Sequence, residues 1–229
     1  MLANLYLHHV LDLWVQWWRR HRAGGDVIIV RFGDDFVAGF QYERDAQRFL
    51  ADLRERFARF GLELHPDKTR LIEFGRFAAR DRQARGLGKP ETFEFLGFIH
   101  ICTRMRDGRF WVRRITSSKR VRVKLREVKD QLRSRRHQPV PEQARWLASV
   151  VRGHMAYYAV PGNRTGVAAF RTQVTRHWCA ELRRRSQRHR LDWKRMDRLA
   201  NQWLPPARVM HPFPNDRFRV RTQGRSPVR

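Results

Sequence analysis

The chain has 229 residues, with 49 Lys and Arg against 22 Asp and Glu and a formal net charge of +27. Its 41% hydrophobic and 12% aromatic content excludes wholesale disorder. Cys102 and Cys179 lie far apart without a C-x-x-C spacing, which excludes a disulfide framework, signals no zinc site and fits a reducing, intracellular compartment.

Self-repulsion at this charge calls for an anionic partner. Only six of the basic residues are lysines. Arginine's planar fork suits bidentate phosphate contacts and stacking on bases, so nucleic acid is favoured over an acidic membrane surface. Compositional drift in a GC-rich genome explains the Arg to Lys ratio better than it explains the excess.

In chain order, "MLANLYLHHVLDLWVQWWRR" is apolar but carries His8, His9, Asp12 and Gln16, which argues against a signal peptide or membrane span. Leu5, Val10, Leu13 and Trp17 repeat at helical spacing and predict a core helix. Gly24 and Gly25 end it, and "VIIV" begins a buried strand. Gly33, Asp34 and Asp35 form a turn, Phe36 to Phe40 return, and Ala46, Phe49, Leu50, Leu53 and Phe57 predict a helix ending at Gly61. "LELHPDKTRLIEF" reads as a bend and a strand, and "GRFAARDRQARGLGKPE" as a loop. In "TFEFLGFIHICTRMRDGRFWVRR" two strands then flank Asp107-Gly108, with Phe95 to Phe98 reading as plain strand.

Beyond Thr116 the texture changes from short strands to long basic helices. Val121, Leu125, Val128 and Leu132 form one apolar stripe, the residues from Trp146 to Tyr158 a second, and Phe170, Val174, Trp178 and Leu182 a third. The fold class is therefore α+β, with one part over residues 1–115, a helical part over 116–204, and a basic, Pro-containing tail over 205–229.

Two adjacent carboxylates at a hairpin tip are hard oxygen ligands on a fixed backbone, suited to Mg²⁺. Gly-Asp-Asp is also ordinary turn chemistry. The flanking strands are more hydrophobic than a surface hairpin needs, which favours a buried functional turn. The residues here resemble the group II intron reverse transcriptases, or intron-encoded maturases. "VRFGDDFVAGF" resembles their motif C, with Gly33 in place of the usual Ala. "MLANLYLHHVLDLW" resembles the helix after motif B, "FGLELHPDKTRLIEF" motif D, and "TFEFLGFIHIC" motif E, the primer grip. "VRGHMAYYAVPGN", "RRRSQRHRLDW" and "WLPPARVMHPFPNDRF" resemble the maturase-specific thumb.

The resemblance implies a partial polymerase palm over 1–115 and an all-α thumb over 116–204. It also implies RNA-directed DNA polymerisation coupled to intron splicing, with two Mg²⁺ ions and Asp34 and Asp35 as catalytic metal ligands. Lys68 stands at the triphosphate position, and Phe95, Leu96, Gly97 and Phe98 at the primer grip. Fingers, the motif A aspartate and the Pro-Gln-Gly-Gly of motif B have no counterpart here, so the resemblance is to an N-terminally truncated form, expected to be inactive alone. The implied partners are group II intron RNA, a DNA primer or target, and a separate polypeptide supplying the missing parts, with no membrane and a cytoplasmic location.

Arg120, Arg122, Lys124 and Arg126, with Arg183, Arg184, Arg185 and Arg188, are the expected RNA contacts, although a charge run is often only a solvated face. Trp146, Tyr157, Tyr158, Trp178 and Trp203 could stack on bases, but their helical spacing favours core packing. The rival from a different class is a non-catalytic RNA-binding splicing module or remnant. A related retroelement or CRISPR-associated reverse transcriptase and a ribosomal-type basic protein are further alternatives.

Overall fold

The computed structural model describes residues 2–185 and 191–214. Helices and two small antiparallel sheets make an α+β protein of two compact units, Met1–Phe74 and Gly75–Arg229.

The first unit opens with α1 (Leu2–Leu7), a π-helical turn (His8–Asp12) and α2 (Leu13–His21). The expected stripe does not run through them. Val10, Leu11, Val15 and Trp18 are buried, while Leu5, Leu13 and Trp17 are 57%, 43% and 46% exposed. Leu11, Val15 and Trp18 keep the i, i+4, i+7 spacing of a helical stripe, so the buried face is regular and lies beside the one that Leu13 and Trp17 suggest. β1 (Val27–Phe32) and β2 (Asp35–Phe40) pair as a hairpin, and α3 (Glu43–Arg59) follows.

On α3, Ala46, Phe49, Leu53 and Phe57 are buried as the spacing predicts. Acidic Glu43 and Asp45 in its first turn and basic Arg56 and Arg59 in its last suit the helix dipole. Buried Asp45 also accepts from the backbone N–H groups of Gly24 and Gly25 at 2.9 and 3.1 Å, tying the helix start to the loop before β1. Trp18 stands edge-on to Phe49 at 5.1 Å and donates to Asp52 Oδ2 at 2.7 Å. Buried side chains of this size contribute about 1.5–3 kcal/mol each. The strand expected in "LIEF" does not form: Leu71 to Phe74 belong to no strand or helix. Strand propensity needs a neighbouring strand to be realised.

The second unit holds α4 (Ala78–Ala84), within a segment whose Arg and Gly content predicts only loop, then β3 (Phe93–Phe95), β4 (Phe98–Arg104) and β5 (Phe110–Thr116). The sheet order is β3-β4-β5, and the Asp107-Gly108 hairpin is present with Gly108 at φ +81. This sheet, which sequence texture groups with residues 1–115, lies in the same compact unit as the helices after it.

Those helices are α5 (Ser118–Ser134), α6 (Val140–Tyr158), α7 (Arg164–Arg183) and α8 (Trp193–Trp203). Their core joins Val128, Leu132, Leu147, Val151, Met155, Phe170, Val174, Trp178 and Leu182, as the three stripes predict. α8 adds Met196 and Ala200, and Asp192 caps it by accepting from the Arg195 N–H at 2.7 Å. One buried polar chain ties three helices together. Trp178 Nε1 donates to Gln143 Oε1 at 2.9 Å, and Gln143 Nε2 donates to the Arg135 and Arg136 carbonyls at 2.6 and 3.2 Å. Among the described residues no helix is long and apolar enough to cross a membrane.

Candidate metal-binding turn and basic helix faces

The β1–β2 register pairs Phe32 with Asp35, which leaves Gly33 and Asp34 as a two-residue turn. Gly33 has φ +65 and Asp34 does not share the positive φ. Positive φ at the first central position alone is the signature of a type II′ turn, where glycine is the unstrained choice. Space is not the constraint, because a Cβ on Gly33 would meet nothing within 4 Å.

Alternation along β1 splits the hairpin into two faces. Val27, Ile29 and Arg31, with Phe36, Ala38 and Phe40 opposite them, face the helices. Ile28, Val30 and Phe32 face outward and are 57%, 52% and 67% exposed. Asp35 shares that outward face and Asp34 sits at the tip, both exposed. The turn is therefore at the surface, not buried as the apolar strands suggest, because only alternate residues of those strands are covered.

Among the described residues neither Asp34 nor Asp35 has an ion pair or a side-chain hydrogen bond. In a chain of net charge +27, two adjacent carboxylates without an arginine partner are a donor set of hard oxygens open to a cation. The set is small: among the described residues no group of three or more His, Cys, Asp and Glu is placed to hold a metal ion.

Behind the turn, Arg31 points to the helical side. Its Nε and Nη2 donate to the two oxygens of Asp12 at 2.8 and 2.6 Å, and its Nη1 donates to the Gly33 carbonyl at 2.8 Å and to Asn4 Oδ1 at 3.3 Å. The Arg31 hydrogen bonds hold the Asp12 carboxyl below its ordinary range. His8 Nδ1 lies 3.3 Å from Asp12 Oδ2. Nothing in the spacing of the sequence joins Asp12 to Arg31. The signal was a lone arginine in an apolar strand and a lone aspartate in an apolar helix.

Lys68 is exposed in a turn whose Lys68 and Thr69 N–H groups donate to the His65 carbonyl. Among the described residues no hydrogen bond or ion pair joins it to either aspartate.

In the second unit, Phe95, Leu96, Gly97 and Phe98 are a tight β3–β4 turn and not a plain strand. Leu96 and Gly97 both have positive φ, +51 and +74, the signature of a type I′ turn. Leucine is a poor residue for that conformation, which is why the stretch reads as one strand. A Cβ on Gly97 would lie 2.8 Å from the Tyr158 hydroxyl. The Tyr157 hydroxyl donates to the Leu96 carbonyl at 2.9 Å, and its ring stacks with Phe98 at 5.7 Å. Tyr157 is half exposed while Trp178 is fully buried, so the aromatic set divides between surface and core.

Arg120, Arg122, Lys124 and Arg126 are all exposed on α5. Lys124 pairs with Glu127 at 2.9 Å and Arg122 Nε donates to the Ser118 carbonyl at 3.4 Å. The arginines at the end of α7 are tied to their own unit. Arg183 Nε donates to the Leu191 carbonyl at 2.7 Å, Arg184 pairs with Glu181 at 2.8 Å, and Arg185 donates to the Gln138 carbonyl. Buried Glu181 also pairs with Arg136 at 2.6 Å. Arg188 lies outside the described residues.

No curated protein matches the chain. Residues 1–100, which carry the Gly33-Asp34-Asp35 turn and run on into β4, match the family model described as reverse transcriptase (RNA-dependent DNA polymerase).

Proposed function

We propose that this chain is part of a group II intron-encoded reverse transcriptase and maturase, with residues 1–115 contributing to the palm and residues 116–204 forming the thumb. The observation that carries the reading is an unpaired Asp34–Asp35 at a hairpin tip, inside a segment that matches the reverse transcriptase family. That match passes Phe74 and ends in β4, which supports a functional segment longer than the first compact unit.

Asp34 and Asp35 would hold Mg²⁺, and their exposed oxygens fit a cation that keeps several waters and shares substrate phosphates. When bound in pairs, such ions activate the attacking hydroxyl and neutralise the leaving group in nucleotidyl transfer. Lys68 is the ammonium offered to the triphosphate. The turn at Leu96-Gly97, backed by Tyr157 and Tyr158, is the support for a primer strand. Arg120, Arg122, Lys124 and Arg126 meet intron RNA through its phosphates, joined by Arg183, Arg184, Arg185 and Arg188 at the other basic segment. Intron RNA, a DNA primer or target and a polypeptide completing the active site are the partners of this reading.

Two carboxylates are fewer than a two-metal centre needs, which favours a second reading: an RNA-binding splicing module without chemistry of its own. Primer extension on an RNA template with Mg²⁺ separates the two. These 229 residues alone do not extend the primer; a polypeptide bringing a third carboxylate and a template cradle restores extension, and Asp34→Ala abolishes it. Restored extension that persists in Asp34→Ala contradicts the catalytic reading.

A further inference from the structure

We infer that Arg31 and Asp12 are positioning residues that fix the Gly33-Asp34-Asp35 turn for a divalent cation, an inference that rests on the reading of this turn as a metal site. Arg31 is the only described side chain bonded to the backbone of the turn, through Nη1 and the Gly33 carbonyl at 2.8 Å. Its Nε and Nη2 donate to Asp12 in a two-point contact, and Nη1 also donates to Asn4. A fork held at three points cannot swing, so the Gly33 carbonyl is held with it. The guanidinium side chain is only 16% exposed, and Asp12 ends the π-helical turn, an irregularity that recurs at functional sites.

The arrangement also decides where a positive charge goes. Strand alternation puts Arg31 on the helical side of the hairpin and Asp35 on the other. Asp12 neutralises Arg31 there, so this arginine does not compete with a cation for Asp34 and Asp35. The two roles, holding the turn and hiding the charge, need the same ion pair.

Positioning and simple charge predict opposite signs for one variant. Arg31→Gln removes a positive charge near the turn, so Coulomb attraction alone tightens Mn²⁺ binding. Loss of positioning weakens it, by roughly tenfold if Arg31 acts as other outer-shell partners do. The test is Mn²⁺ affinity of the full chain by water-proton relaxation, beside ¹⁵N order parameters of residues 33–35 without metal. Asp12→Asn, which keeps the shape of Asp12 and leaves Arg31 in place, is the second variant. Weaker Mn²⁺ binding in Arg31→Gln, with lower order parameters at 33–35 in both variants, is expected. Binding in Arg31→Gln as tight as wild type or tighter, or order parameters unchanged in Asp12→Asn, overturns the inference. Mn²⁺ binding that survives Asp34→Asn/Asp35→Asn overturns the metal reading instead, a failure separate from that of the Arg31–Asp12 pair, which the order parameters report without metal.

Discussion

His154 is expected to make the helical unit lose stability as the pH falls from 6.5 to 4. Its ring stacks on Phe170 at 3.7 Å with an interplanar angle of 11°, and Tyr158 lies 4.7 Å away. Nε2 is buried, with no hydrogen-bond partner among the described residues. Burial, helped by the charge of Lys124, pushes its pKa from 6.5 down to about 4. The unfolded chain therefore takes up a proton below pH 6.5 that the folded chain refuses until about pH 4. Stability is complete above the unfolded value and falls by about 1.4 kcal/mol per pH unit across the window, to a total loss of about 3 kcal/mol. Urea unfolding of wild type and His154→Phe between pH 7.5 and 4 isolates the effect, since the variant keeps the stack and cannot titrate. A direct check is the His154 Cε1–H shift in the folded protein. A folded midpoint near 6.5, or a wild-type pH slope matching that of His154→Phe, would refute the reasoning.

The tight turns and ion pairs give further expectations. Gly97→Ala should destabilise by at least about 1–2 kcal/mol, because alanine at φ +74 is strained and its Cβ meets the Tyr158 hydroxyl; thermal unfolding checks it. Glu181→Ala removes a buried carboxylate whose partner Arg136 still reaches water and should cost about 1–3 kcal/mol, whereas Arg184→Gln, on the exposed arm of the same network, should cost under about 1 kcal/mol. For RNA, Arg120→Gln/Arg126→Gln should lower the slope of log affinity against log salt by roughly 1.4–1.8 while leaving unfolding unchanged. Arg183→Gln/Arg184→Gln/Arg185→Gln should move both slope and stability, since all three guanidiniums bond within their own unit.

What could be read from sequence follows the range of the interactions involved. α3 and α5 to α7 were legible because each buries one face of a regular helix, so Phe49, Leu53, Val128, Val174 and Trp178 announce themselves by spacing. The Gly33-Asp34 and Asp107-Gly108 turns were legible because glycine at positive φ is local chemistry. The N-terminal stripe was misread because apolar residues lie on several faces of α2, so spacing fits the exposed Leu13 and Trp17 as well as the buried Leu11, Val15 and Trp18. Leu96-Gly97 was misread because leucine rarely occupies that conformation, and α8 went unseen behind an arginine run. At the site, the aspartate pair was visible, but its exposure and its support were not. The ion pair joining Asp12 to Arg31, nineteen residues apart, exists only once the hairpin has folded onto the helix.

The central claim, that Asp34 and Asp35 together form a divalent cation site, is tested most directly by Mn²⁺ titration of the ¹⁵N-labelled chain. Paramagnetic broadening should begin at the amides of residues 33–36 at the lowest Mn²⁺ concentrations, and Asp34→Asn/Asp35→Asn should remove it there while leaving the rest of the spectrum in place. Broadening at residues 33–36 that is the same in wild type and in the double variant would contradict the account and leave Gly33-Asp34-Asp35 a turn and nothing more.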